Sequence, residues 1–170
     1  MTPPRPEEAY IVFAQRTDAR IDIESWNAHA MRFFATRIGL TSDKRTSAGQ
    51  VAPRTDEAAF VVTPDGEAPG IRSTFARPCE HADQALAVTI EARAGHTGLS
   101  LLARRCGMVW LVVREGTVDL LALRLSAIIA SILLGPIVDA SAGRLFGVKT
   151  ARAMLETAAN STPTDKTPKA

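Results

Sequence analysis

A chain of 170 residues with 46% apolar and 22% charged side chains is long enough to bury a core without disulfide or metal staples, and this composition excludes wholesale disorder. The formal net charge of +2 is too balanced to imply a nucleic acid or an anionic membrane by itself. The basic set is 16 Arg and 4 Lys; Arg suits bidentate pairing with carboxylates or phosphates, and a coding bias toward Arg leaves the same mark.

Cys79 and Cys106 are too few for a disulfide framework, and the Pro- and Glu-containing start lacks the apolar stretch of a secretory signal. Both point to a cytoplasmic address. Residues 1–8 read as a disordered lead-in, residues 9–158 as one domain, and residues 159–170 as a disordered tail.

Ala9 to Gln15 is a compact apolar run that predicts a first strand. Asp22 is placed to cap a helix carrying Ile23, Trp26, Ala30, Phe33, Phe34 and Ile38 as one broad stripe, with Gly39 as its stop. Thr41 to Glu57 is mainly polar and predicts a long mobile loop. Ala58 to Thr63 reads as a strand, Pro64-Asp65-Gly66 as a turn, and Ile71 to Phe75 as the returning strand. Pro78 suits the first turn of a helix from Cys79 to Ala94, with Ala82, Ala85, Leu86, Thr89 and Ile90 as its expected apolar side. Thr97 is a cap candidate for a short second helix closed by Gly107.

Met108 to Val113 predicts a fourth strand and Arg114-Glu115-Gly116 a turn. Thr117 would then cap the most apolar helix of the chain, with Asp119 in its first turn. Gly135-Pro136 ends that helix, Asp139 to Gly147 reads as a loop, and Val148 to Thr157 as a last helix. The order strand, helix, strand, strand, helix pair, strand matches the split β-α-β-β-α-β pattern of ferredoxin-like folds. The expected class is therefore α+β: a four-stranded antiparallel sheet, helices on one face, and added C-terminal helices.

Chemistry-bearing patterns are sparse. Cys79-Glu80-His81 at a helix start is the candidate for a thiol enzyme, because a helix N-terminus favours a thiolate and a nearby His can accept its proton. His29, His81 and His96 are scattered, with no metal-ligand spacing, so neither a metal nor a cofactor is expected. Gly95-His96-Thr97-Gly98 is a G-x-x-G sequence between two helices and ahead of a strand. In that context it resembles the nucleic-acid clamp of KH domains, which implies phosphate contacts assisted by Arg93, Arg104 and Arg105. A helix stop followed by a turn uses the same two glycines.

Residues 118–134 carry two apolar seams, one through Val118, Leu121, Leu125, Ile128 and Ile132 and one through Leu120, Leu123, Ala127, Ala130 and Leu134. A helix apolar all round must be covered all round. Its charge-free run is short against the roughly 20 residues of a membrane span, and Arg124 lies near one end, so a membrane is disfavoured. The leading expectation is a non-enzymatic protein-interaction module that self-associates through Leu121, Leu125, Ile128 and Ile132, with Arg72, Arg77, Arg104 and Arg105 facing a partner. The alternatives are a nucleic-acid-binding domain using Gly95 to Gly98, and a thiol enzyme using Cys79 and His81.

Overall fold

The computed structural model describes residues 2–41, 57–95 and 97–161. Its centre is the antiparallel pair of β1 (Ala9–Ala14) and β5 (Met108–Val113), in register from Ala9–Val113 to Ala14–Met108. The sequences AYIVFA and MVWLVV carry no polar alternation because both faces of this pair are covered. Tyr10, Val12, Trp110 and Val112 enter one core, and Ala9, Ile11, Val109 and Leu111 enter the other.

Five more strands complete the sheet: β2 (Thr36–Leu40), β3 (Glu57–Pro64), β4 (Gly70–Pro78), β6 (Ile137–Asp139) and β7 (Arg144–Phe146). The spatial order is β2-β3-β4-β5-β1-β6-β7, with every neighbouring pair antiparallel. Trp26 of α1 (Ile23–Phe34), Leu125 of α4 (Leu120–Leu133) and Leu155 of α5 (Val148–Asn160) pack in the first core. Ala87 of α2 (His81–Ala94) and Ala103 of α3 (Leu99–Ala103) pack in the second.

The α+β class and the antiparallel sheet stand; the ferredoxin-like order does not. That order would place β1 between β4 and β5, whereas β4 and β5 pair directly, from Thr74–Val112 to Pro78–Met108. The reason lies in the helix pair. α2 and α3 run out and back, and Cys79 N–H donates to the Gly107 carbonyl at 2.9 Å, so the chain re-enters the sheet at the end it left. Helices also cover both faces of the sheet, not one.

Several element boundaries differ from the sequence expectation. α1 ends at left-handed Ala35 (φ 46°), not at Gly39, and Thr36-Arg37-Ile38-Gly39-Leu40 is an edge strand with Thr36 and Ile38 buried. Ile38 has helical spacing from Phe34, but it is buried from a strand. α4 is capped by Asp119, whose side chain accepts from the Ala122 N–H, and Thr117 lies outside the helix. The expected loop Asp139 to Gly147 contains β7 and joins it to β6, in strands of three residues that are too short to show an alternation. The buried side of α2 is Asp83, Ala87, Ile90 and Glu91, while the predicted Ala82, Ala85 and Thr89 are exposed.

At the N-terminal end, Pro6–Glu8 forms a 3-10 turn, and its Glu7 and Glu8 carbonyls accept from the side chain and backbone of Arg114. The expected loop Thr41 to Glu57 lies outside the described residues over positions 42–56, as do His96 and positions 162–170.

Both seams of α4 are covered by the chain itself along the middle of the helix, while Val118, Leu120 and Leu134 at its two ends are exposed. Leu125, Ala127 and Ile128 are fully buried, Leu123 nearly so, and Leu121 and Ile132 pack against the same core. The sheet lies on one side, with α1 and α5 on the others. Self-association through Leu121, Leu125, Ile128 and Ile132 requires an uncovered face at these residues, and the chain's own core covers them. Among the described residues no helix is long and apolar enough to cross a membrane, and α4 has 14 residues.

Candidate functional site

The thiol candidate does not assemble. Cys79 precedes α2 and is half-buried, with Sγ directed at the Glu80 carbonyl at 3.8 Å, while His81 is exposed on the first turn. Burial and the adjacent Asp83 carboxylate push the Cys79 thiol above its ordinary range. Arg77 pulls the other way but is held by Asp83 through hydrogen bonds of 2.6 and 2.8 Å. The helix N-terminus therefore meets a carboxylate, not a thiolate.

The Gly95 to Gly98 loop is organised from inside by an acid. Glu91 accepts from the Thr97 N–H at 3.1 Å, from the Thr97 hydroxyl at 2.8 Å and from the Ser100 hydroxyl. These bonds, Ser100 first and Thr97 second, hold its carboxyl down at about 2. An ionised carboxylate beneath the loop opposes a phosphate above it. Gly95 and Gly98 adopt positive φ at the end of α2 and the start of α3, as a helix stop and turn require.

The four arginines expected to face a partner do not form one patch. Arg72 pairs with Asp119 through bonds of 2.7 and 3.0 Å on the α4 side of the sheet, and Arg77 pairs with Asp83 on the α2 side. Both are structural ion pairs, contrary to expectation. Arg104 and Arg105 are exposed beyond α3.

A further buried cluster joins three strands. The Arg114 guanidinium lies over the Tyr10 ring at 4.9 Å and donates to Asp139 at 3.1 Å and to Ser141, while Asp139 also accepts from the Ala142 N–H. Burial pushes the Tyr10 hydroxyl above its usual range, against the opposing effect of Arg114. Arg114 and Asp139 neutralise each other, so this cluster offers a ligand no net charge. Among the described residues no group of three His, Cys, Asp or Glu side chains is placed to hold a metal ion.

Among the described residues, a surface groove carries unbalanced charge. The end of α1, Arg124 of α4 and residues 152–159 of α5 line an open groove of about 490 Å³. Its apolar wall is Met31 and Phe33, 50% and 44% exposed, with buried Phe34 and Leu155 behind them. Three guanidiniums line it, from Arg32, Arg124 and Arg152, against the single carboxylate of Glu156.

Their placement follows from the helix ends. Arg124 donates to the Phe34 carbonyl at 3.2 Å and to the Thr36 hydroxyl at 3.3 Å, satisfying groups left open where α1 stops. Arg152 stacks over the Phe34 ring at 4.7 Å, and Arg32 over the Phe33 ring at 5.1 Å. Behind Phe33, His29 packs its ring at 4.7 Å and hydrogen-bonds Ser131 at 2.8 Å. Burial, and then the charge of Arg152, lower the His29 pKa.

Sequence reading missed this groove because its three walls are drawn from residues 31–35, 124 and 152–159, far apart along the chain. Two signals were present. Phe33 and Phe34 are adjacent, so one helix face cannot bury both fully, and Arg124 is the lone charge in the most apolar helix.

The fold and groove together define a three-layer α+β protein with a basic, partly apolar surface groove. No family model, curated protein or solved structure matches the chain.

Proposed function

We propose that this chain is a non-enzymatic binding module and that its ligand seats in the groove between α1, α4 and α5. One observation carries the reading. The arginines elsewhere in the core and at its margins, Arg72, Arg77 and Arg114, each meet a carboxylate within 3.1 Å. In the groove Arg32 and Arg152 lie on aromatic rings, and Arg124 reaches Glu67 only at 4.0 Å. Charge left uncompensated beside exposed apolar side chains is the usual composition of a ligand pocket, and the volume is within the usual pocket range of roughly 300–1,000 Å³.

The test is a nitrogen–proton correlation spectrum of the full chain, titrated with small apolar fragments bearing anionic, neutral or cationic groups. The expected result is peak movement confined to Met31–Ala35, Arg124 and Arg152–Ala159. Movement only at other residues, or no binding by any fragment, would remove the groove from the proposal.

A further inference from the structure

We infer that the ligand of this groove is an amphipathic anion, a carboxylate or phosphate headgroup carried on an apolar body; this rests on the groove being the binding site. A guanidinium held over a ring face by its charge can still donate its N–H groups to an oxyanion. The Arg152 guanidinium carbon lies 4.7 Å from the Phe34 ring centroid and that of Arg32 5.1 Å from the Phe33 centroid. Among the described residues neither pairs with a carboxylate, so the N–H donors of both are available to an oxyanion.

Arg124 adds the third cation from below. Its Nη1 is occupied by Phe34 and Thr36, but its Nη2 faces only Glu67, whose side chain is 59% exposed. Arg124 and Arg152 both converge on Phe34, one on its carbonyl and one on its ring, so their charges act on the same part of the groove. A cationic ligand would meet this field as repulsion. A neutral one would leave the donors to water. The apolar half of the ligand is set by Met31 and Phe33, the two large exposed apolar side chains of α1.

The experiment is isothermal titration of the full chain with four probes below their micelle concentrations: decanoate, decyl phosphate, decanol and decyltrimethylammonium. The two anions are expected to bind at least about tenfold more tightly than decanol, since a charge-assisted hydrogen bond contributes about 1.5–3 kcal/mol. Decyltrimethylammonium is expected not to bind. Arg152→Gln should weaken decanoate about tenfold and leave decanol unchanged, and Arg32→Gln should act in the same direction. Neither residue has a buried ion pair whose loss would unfold the chain, and thermal melts of both variants verify this.

Equal binding of decanol and decanoate, or decanoate binding indifferent to both substitutions, overturns the anion inference while leaving the groove as a site. Failure of all four probes overturns both. Association with anionic phosphatidylglycerol vesicles in the absence of binding to free decanoate would assign the charge to a membrane surface, and also overturns the inference.

Discussion

Asp119 holds Arg72 with both carboxylate oxygens, at 2.7 and 3.0 Å, while the same two oxygens accept from the N–H groups of Glu115 and Ala122. One side chain thus caps α4 and pins it to β4 across a buried surface. Burial alone would raise the Asp119 carboxyl; the bond from Arg72, the two backbone bonds and the Arg72 charge outweigh it, and the net shift is downward. Asp119→Ala removes the cap and leaves Arg72, whose side chain is 11% exposed, with only the exposed Glu115 carboxylate at 3.2 Å, so the expected loss is about 3 kcal/mol in urea unfolding, the low end for breaking a buried pair. Replacing Arg72 by Met in the same chain should recover a substantial part of that loss. A double variant as unstable as the sum of the two single variants would show that the pair is not coupled.

Gly135 closes the other end of α4. Leu134 takes the left-handed conformation (φ 58°) and Gly135 then passes against β1, where a Cβ would lie 1.7 Å from the Phe13 carbonyl oxygen. That oxygen belongs to the central strand and cannot move without breaking the sheet. Gly135→Ala should therefore cost about 3 kcal/mol or more, at the upper end of overpacking penalties. A melting temperature within a degree or two of the parent chain would show that the α4–β1 contact yields more readily than this geometry implies.

Glu91 makes stability depend on acid. Its folded pKa is depressed from 4.5 to about 2, so its contribution is complete above the unfolded value and fades as pH falls from about 4.5 toward about 2. Glu91→Gln should be less stable than the parent at pH 7, and the gap between their melting temperatures should shrink over that interval. Thermal melts at half-unit steps measure it. A gap constant with pH would mean that the carboxylate is not what holds Thr97 and Ser100.

The cysteines should be sluggish toward alkylation. Burial and Asp83 raise the Cys79 thiol, and burial pushes Cys106 up to about 11. At pH 7.5 iodoacetamide should modify Cys79 more slowly than a free thiol and Cys106 only on unfolding, because the thiolate is the reactive form. Mass spectrometry of timed samples reads both. Rapid labelling of Cys79 would reopen the thiol-enzyme reading.

Much of the fold was legible locally. The apolar runs at Ala9 and Met108 announced strands, although helices were expected on one face of the sheet only, and Asp22 caps the helix it was expected to cap. Legibility failed on α2, where polar groups are neutralised by partners from the flanking strand, loop and helix. On α2, Asp83 and Glu91 occupy the buried side because Arg77, Thr97 and Ser100 satisfy them. A hydrophobicity pattern, which treats carboxylates as exposed, turned that helix the wrong way.

The candidate groove shows the same division. The sequence alone required residues 118–134 to be covered on every side, since apolar side chains surround that helix. It did not contain what covers them. Only the tertiary structure placed α1 and α5 over the second face and brought Arg32, Arg124 and Arg152 around Phe33 and Phe34. The physical reason is that side-chain periodicity records that a residue leaves water. The neighbour that replaces the water is set by long-range packing, and the charge a site retains depends on which ion pairs that packing completes.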